Sequence, residues 1–227
     1  LLFTFQIYFD FSGYTDMAIG AALLFNIHLP INFNSPLKAK SIITFWQKWH
    51  ITLSNFINQY CFYKLVKKFR IKKSFLKYLS ILFVMTMAGL WHGPTWGYIF
   101  FGVVHGIALI VNHIWKITKI KLIQPIGWIL TFVVINVGFV FFRSPNLEIA
   151  FWMIKKMFSF NEAKIFIQEL FFNDKSIFEY ISQITTLSTT VCYTFFVGII
   201  VVFFSNNSNF IIKNYSFKFY HLFFYSL

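Results

Sequence analysis

The sequence has few charged residues and very few acidic ones. Only 12% of its 227 residues are charged, and 7 acidic residues stand against 20 lysines and arginines. An average soluble domain has about a quarter of its residues charged, so this composition excludes a disordered chain and argues against a soluble domain. Hydrophobic residues make up 58%, and phenylalanine alone occurs 34 times. The predicted solvent is therefore a lipid bilayer.

Cysteine is almost absent as well. Cys61 and Cys192 are far apart and form no CxxC pair, which argues against a disulfide framework and against a zinc site. We predict no bound metal ion and no bound cofactor. The chain begins at Leu1 without a basic n-region or a cleavage site, so no signal peptide is expected. We expect residues 1–227 to form a single membrane domain that is part of a longer protein.

The excess of positive charge has two possible meanings. A net charge of +13 can indicate nucleic acid, but in so apolar a chain it favours anionic lipid headgroups and the positive-inside rule. Half of the basic residues, and no acidic one, lie between Lys38 and Lys77. We therefore predict that this stretch is cytoplasmic and that nucleic acid is not a partner.

Charge-free stretches predict the membrane-spanning helices of an all-α, polytopic transmembrane helical bundle. Residues 122–142 fit one span of about 20 residues, and 189–205 is the best candidate for another. The stretch 78–115 is too long for one span and is interrupted at Gly93. This pattern predicts a broken helical hairpin.

The first arm of that hairpin, residues 78–91, looks short for a bilayer. Such an arm would rise only about 21 Å, against a hydrocarbon core about 30 Å thick. The turn after it is therefore expected to be recessed below the far surface. Three glycines at the turn, Gly89, Gly93 and Gly97, are expected to allow close approach of another segment or of a substrate.

An amphipathic helix is predicted on the cytosolic side, after the polar elbow HLPINFNSP. Ser35 before Pro36 is a suitable N-cap with proline at the first helical position. Apolar residues then recur at helical spacings of three and four, which is typical of an interfacial helix rather than a span. These residues are Ile42, Trp46, Trp49, Leu53, Phe56 and Tyr60.

Ionisable side chains within apolar segments are the candidates for function. His92 lies in AGLWHGPTWG, immediately before the helix break, where a neutral imidazole would suit general-base chemistry. The alternative is a turn histidine that caps a carbonyl. His50 lies in FWQKWHITLS at the edge of the apolar stripe, where it can face a cavity or, on its own evidence, more simply snorkel at the interface.

Other polar residues have structural readings. Asp10 and Asp16 lie in QIYFDFSGYTDMAIG, where pairing within the bundle is favoured over chemistry, although a proton or substrate path stays open. His105 and Asn112 share a helix face, which predicts an interhelical hydrogen bond. Gly102, with the glycine four positions later, predicts a small-residue packing face.

Five motifs taken in order resemble a known family. QIYFDFSGYTDMAIG, LPINFNSP, FWQKWHITLS, AGLWHGPTWGYIFFGVVHG and VGFVFFRSP, within about residues 5–158, are similar to the successive motifs of membrane-bound O-acyltransferases. The likeness is to the bacterial branch with the alginate O-acetylation and teichoic-acid D-alanylation membrane proteins. The resemblance implies that the chain is the C-terminal part of such a protein, that His92 is the catalytic histidine and that His50 is the second one. Candidate substrate-binding residues are Trp91, Trp96, Trp49 and Asp16.

The resemblance also implies an activity. It implies transfer of an acyl group, in the first place acetyl, from a cytosolic donor such as acetyl-CoA or another acyl thioester to hydroxyls of an exported cell-envelope polysaccharide such as alginate or peptidoglycan. The expected location is the bacterial cytoplasmic (inner) membrane, and the expected partners are membrane lipid, the polysaccharide, and a periplasmic acyltransferase or an acyl carrier. The lysine-rich stretch 64–77 departs from the family, which has a glycine-containing loop there.

Three alternatives remain open. The acyl group can be D-alanyl and the acceptor teichoic acid. The protein can instead be an acyl-passing transporter or channel whose partner performs the chemistry, although transporters usually show paired broken helices and this sequence shows one break. A scaffold for an envelope complex would make histidine replacements silent.

Overall fold

The computed structural model describes residues 2–70, 73–120, 122–159, 189–204 and 208, and the described residues contain helices but no strand. The charge balance predicts that the segment 143–179 lies outside and that Lys213 and Lys218 lie inside; the part of that segment after residue 159 and both lysines lie outside the described ranges. Residues 57–62 form a π-helix, and residues 36–38 form a single 3-10 turn. The α-helices are α1 (Leu2–Leu24), α2 (Ile42–Trp46), α3 (Ile51–Phe56), α4 (Tyr63–Lys68), α5 (Ser74–Trp91), α6 (Trp96–Thr118), α7 (Gln124–Arg143), α8 (Leu147–Met157) and the helix Thr189–Phe204.

Three of the described helices are long and apolar enough to cross a membrane. They are α5 with 18 residues, α6 with 23 and α7 with 20. The broken hairpin and the span predicted over residues 122–142 are thereby confirmed. A buried hydrogen bond, 2.8 Å from the Thr4 hydroxyl to Asn136 Oδ1, fixes α1 against α7.

The argument that the first arm is short is wrong. Helix α5 begins at Ser74 rather than at residue 78 and has 18 residues, so it rises about 27 Å, close to the thickness of the hydrocarbon core. The reason is that Lys77 does not end the helix. Lysine is a good helix former, and its long stem lets the ammonium group reach the interface.

Glycines allow α5, α6 and α7 to pack with their backbones in contact. A Cβ atom on Gly102 of α6 would lie 2.8 Å from the Cα atom of Thr86 on α5. A Cβ atom on Gly97 would lie 2.5 Å from the carbonyl oxygen of Phe141 on α7. Carbon atoms normally pack about 3.5–4.0 Å apart, so no larger residue fits there without movement. The predicted small-residue packing face is confirmed.

The prediction of one continuous amphipathic helix is wrong. Ser35 is in the left-handed region, with φ 48°, and does not cap a helix. The N-cap is Ser41, whose hydroxyl accepts a 3.1 Å hydrogen bond from the backbone N–H of Thr44. The helix then breaks at His50, where φ is 43°.

The polar elbow explains the break. The backbone N–H of Asn34 donates to the Lys48 carbonyl at 3.0 Å, and the N–H of Ile51 donates to the Asn32 carbonyl at 3.0 Å. These bonds engage the backbone on both sides of His50 with a second segment. They replace helical hydrogen bonds that a continuous helix would need, and the propensity of the sequence alone gives no sign of them.

The segment before His50 enters the bundle instead of lying on its surface. Lys40 donates a hydrogen bond to the side-chain carbonyl of Gln124 at the start of α7. Nine residues later, the ring of Trp49 lies 5.5 Å from that of Phe139. Since Phe139 is 15 residues beyond Gln124, the segment climbs about 22 Å along α7. Ile42, which lies between these contacts, is only 5% exposed.

The chain then returns toward the end of the bundle where α5 begins. Three consecutive six-residue elements cover 51–68, and the last two of them pack against α5. Helix α5 runs back from Ser74 to Trp91. His50 immediately precedes the segment 51–68, which runs to the start of α5, and His92 immediately follows α5, which runs back. Both histidines therefore lie at the same end of the bundle.

Candidate active site

His92 is held at the C-terminal end of α5 by a tight turn. Its backbone N–H donates to the Gly89 carbonyl at 3.0 Å. Gly93 follows with φ 155°, a conformation that residues with a side chain rarely adopt. The imidazole is surrounded by aromatic rings, with centroid distances of 4.9 Å to Trp91, 5.0 Å to Phe142 and 6.1 Å to Phe101.

His50 reaches the same region from the break between α2 and α3. Its imidazole packs edge-on against Phe11 of α1, with centroids 4.8 Å apart. Its Nδ1 atom lies 3.1 Å from Oδ1 of Asn32 in the polar elbow. The backbone at His50 is left-handed and separates the two flanking helices.

One cavity of about 520 Å³ is lined by both histidines. Aromatic and aliphatic side chains from α1, α2, α6 and α7 form most of its wall. Polar side chains in the lining are few: besides the histidines they are Gln6, Asp10 and the indoles of its tryptophans. A largely apolar pocket with a few convergent polar groups is the usual form of a small-molecule site.

The cavity favours neutral imidazoles. His50 and His92 lie outside the three membrane-spanning segments α5, α6 and α7. Burial and, to a smaller extent, the nearby His92 together lower the pKa of His50 to about 4. Burial also lowers the pKa of His92. Each ring therefore keeps one nitrogen lone pair at neutral pH, as a general base requires.

The structure brings together only some of the predicted site residues. Trp91 and Trp49 line the cavity beside the histidines. Trp96 is 67% exposed and is not part of the lining. Asp16 lines a second cavity of about 270 Å³, whereas Asp10 lines the first. Among the described residues, no group of His, Cys, Asp or Glu side chains could hold a metal ion.

The predicted interhelical hydrogen bond from the face of α6 that carries His105 and Asn112 is wrong for the residues that the structure describes. The His105 side chain is completely buried, and neither of its ring nitrogens has a hydrogen-bond partner among the described residues; the same holds for Oδ1 of Asn112. His105 instead packs between the aromatic rings of Phe45 and Phe101, at 6.3 and 4.6 Å. Gly138 of α7 leaves room for its Nε2 edge. Aromatic packing has displaced polar pairing at this position.

Sequence reasoning missed two polar contributors to the site. Gln6 lines the cavity from α1, and Asn32 contacts His50 from the elbow. Asn32 is 18 positions before His50, a separation without helical or strand periodicity. The polar elbow was recognisable in the sequence, but the fold was needed to show which residue it contacts.

A family model described as MBOAT, membrane-bound O-acyltransferase family, matches residues 1–151. The chain is 45% identical over 169 residues to a peptidoglycan O-acetyltransferase of Helicobacter pylori, covering 73% of this chain and 32% of that protein. It is 38% identical over 161 residues to a probable alginate O-acetylase of Pseudomonas aeruginosa, covering 70% and 31%. A teichoic acid D-alanyltransferase of Streptococcus thermophilus is 36% identical over 120 residues, covering 50% and 29%. The chain thus spans about a third of the length of the curated relatives it matches.

Proposed function

Because the chain belongs to the membrane-bound O-acyltransferase family, we propose that it carries the catalytic histidines of a bacterial enzyme that acylates hydroxyl groups of an exported cell-envelope polysaccharide. The proposed acyl group is acetyl and the proposed donor is a cytosolic acyl thioester such as acetyl-CoA. The observation that carries this proposal is the single aromatic cavity shared by His50 and His92. The names of the relatives that act on peptidoglycan and alginate support the class of acceptor.

In the proposed reaction His92 is the general base. Its neutral ring accepts the proton of an acceptor hydroxyl while the hydroxyl oxygen forms a bond to the thioester carbonyl carbon. The carbon–sulfur bond then breaks, and the departing thiolate takes the proton from the His92 imidazolium. The products are an ester and a free thiol, and His92 is regenerated. A positioned general base contributes about 10²- to 10⁴-fold to the rate.

The other residues that line the cavity are proposed to orient the substrates and to shield them from water. His50 would accept a hydrogen bond from the acceptor or the donor and so orient it beside His92. Trp91 and Trp49 would form apolar walls, which exclude water and protect the thioester from hydrolysis. Trp96 and Asp16 lie outside this lining, so any contact that they make with the substrate is away from the reacting atoms.

The prediction that Lys38–Lys77 is cytoplasmic is kept only for its lysine-rich part, residues 64–70 and 73–77, because residues 40–49 enter the bundle. This part is proposed to orient the protein, with these residues in the cytoplasm and the chain in the inner membrane. It lies at the opposite end of α5 from His92, about 27 Å away along the helix axis. It can attract an anionic donor or an acidic carrier, but the thioester itself must enter the bundle to react. An acyl carrier or a periplasmic acyltransferase is the proposed partner.

Replacement of His92 tests the proposal. In the full-length protein His92→Ala should lower the acetyl content of the envelope polysaccharide by at least about 10²-fold at normal expression. The matched control is His113→Ala, because His113 is an exposed histidine of α6 outside the cavity. Undiminished acetylation in His92→Ala would overturn the catalytic role and would favour a scaffold or a channel.

A second measurement separates the acyl groups. The similarity to a D-alanyltransferase makes D-alanyl transfer to teichoic acid the alternative within the same chemistry. Mass spectrometry of the envelope polymers from cells with the wild-type and His92→Ala proteins shows which ester disappears. Loss of D-alanyl esters with acetyl esters unchanged would replace acetyl by D-alanyl in the proposal.

A further inference from the structure

Asn32 is the hub of a small hydrogen-bond network at His50. Its Oδ1 atom lies 3.1 Å from Nδ1 of His50 and accepts hydrogen bonds from the backbone N–H and the hydroxyl of Thr52, at 3.2 and 2.9 Å. Its own carbonyl accepts from the N–H of Ile51 at 3.0 Å. Asn32 thus contacts three successive residues at the start of α3.

These contacts determine the chemical state of the His50 ring. A backbone N–H can only donate, so the Asn32 side-chain atom that meets the N–H of Thr52 must be the oxygen and not the nitrogen. An oxygen acceptor beside Nδ1 requires that Nδ1 carries the proton. In the neutral ring Nε2 then carries the lone pair, and Nε2 is the nitrogen left for the cavity.

We propose that Asn32 is a positioning residue that fixes His50 in the Nδ1–H form and so presents the Nε2 lone pair to the cavity. Without Asn32 both neutral forms of the His50 ring would be populated. In some molecules Nε2 would then present an N–H donor to the cavity instead of a lone pair. The hydrogen bond also fixes the rotation of the ring about its χ angles. The link to activity rests on the proposed acyl transfer, but the state of the ring does not.

Asn32 has a structural role that the test must separate. His50 occupies the N-cap position of α3 without a capping side chain of its own, and Asn32 accepts the N–H of Thr52 in its place. Loss of a cap costs about 1 kcal/mol of stability without any bearing on imidazole chemistry. Activity alone is therefore an insufficient readout.

The test uses full-length protein with ¹⁵N-labelled histidine in lipid nanodiscs. The His50 resonances are identified by their loss in His50→Gln, and their ¹⁵N shifts report which ring nitrogen carries the proton. The expected result is Nδ1–H in the wild-type protein and a mixture of forms in Asn32→Ala. Asn32→Ala should also lower kcat on the order of tenfold, with a smaller change in KM.

Asn32→Asp provides the conservative rescue. Its carboxylate keeps an acceptor for Nδ1 and for the cap, so the Nδ1–H form and most of kcat should return at alkaline pH. The added negative charge favours the imidazolium, so the acid limb of the pH profile should move to higher pH. The other titratable groups lining the cavity, Asp10 and His92, are unchanged. The matched control is Asn55→Asp, an exposed position of α3, which adds the same charge without the contact.

Two results would overturn the inference: a proton on Nε2 of His50 in the wild-type protein, or an unchanged ring state in Asn32→Ala. Either outcome removes the positioning role whatever His92→Ala shows. Conversely, retained acyl transfer in His92→Ala, together with a changed ring state in Asn32→Ala, would refute the proposed function and leave the role of Asn32 standing.

Discussion

The contact between α5 and α6 gives the sharpest test of how the fold positions the histidines. Gly102→Ala would place a Cβ atom 2.8 Å from the Cα atom of Thr86, with the Met85 carbonyl oxygen closer still. Ordinary carbon contacts are about 3.5–4.0 Å, so the two helices must separate by about 1 Å. The clashing atoms are backbone atoms, which no change of side-chain rotamer can relieve.

The consequence reaches the cavity because His92 directly follows α5 and because Phe101, the neighbour of Gly102, packs against the His92 ring at 6.1 Å. A misplacement of about 1 Å can lower an enzymatic rate by about 10²-fold, and overpacking typically costs about 1–3 kcal/mol of stability. Gly102→Ala should therefore lower polymer acylation in cells and lower the thermal unfolding temperature of the purified protein. Membrane insertion, measured by the protein level in the membrane fraction, should persist.

Gly20→Ala is the matched control. A Cβ atom on Gly20 of α1 would meet nothing within 4 Å, and alanine is the better helix former by about 1 kcal/mol. This variant should keep its activity and unfold at the same or a higher temperature. If Gly102→Ala behaved like Gly20→Ala in both assays, the argument that backbone contact between α5 and α6 holds His92 in place would be refuted.

The remaining predictions concern the cavity itself. Unfolded histidine titrates near pH 6.5, whereas burial, with a smaller contribution from His92, lowers the pKa of His50 to about 4 in the folded protein. As the pH falls, the unfolded state therefore takes up the proton first, and the free energy of unfolding should fall between about pH 6.5 and pH 4. By contrast, kcat/KM should not show the usual histidine loss near pH 6.5. Stability is measured by tryptophan fluorescence during denaturation at each pH. A free energy of unfolding that rises as the pH falls over this interval would contradict the burial of His50. Trp91→Ala should reduce acylation because Trp91 lines the cavity, whereas Trp96→Ala, at a similarly exposed side chain outside the lining, should change it little. Equal losses in the two variants, measured as polymer ester content, would assign the substrate contact to the whole turn instead.

The features of the fold that the sequence predicts are those set by hydrophobicity and by helix breakers. The charge-free stretches predict α6 and α7 because lipid excludes charge over about 20 residues, and the Gly-Pro pair predicts the turn after His92. The start of α5 is missed because Lys77, treated as the edge of a span, is compatible with a helix that continues to Ser74. Charge marks where apolar surroundings end, and that point is not always the end of a helix.

The course of the chain around His50 was not predictable from periodicity. Spacings of three and four residues are equally compatible with one helix and with two helices in sequence. In the structure the apolar residues before the break, such as Ile42 and Trp49, are buried, whereas Phe56 and Tyr60 after it are exposed. The decisive interactions are backbone hydrogen bonds to Asn32 and Asn34, and the pairing of distant segments leaves no periodic signal. Sequence reasoning could therefore nominate His50 and His92 as separate candidates. That they line one cavity follows only from the fold, in which the segment 51–68 and α5 run in opposite directions between them.

The backbone at His50 links this strained geometry to function. A left-handed conformation is uncommon for a residue with a side chain, although histidine adopts it more often than most, and a residue in αL costs of order 1 kcal/mol or more. Glycine would adopt φ 43° without that cost. The strain is held by the hydrogen bonds of Asn32 on one side and of Asn34 on the other. Because this conformation ends one helix and precedes the next, the imidazole at the break lines the cavity that His92 also lines.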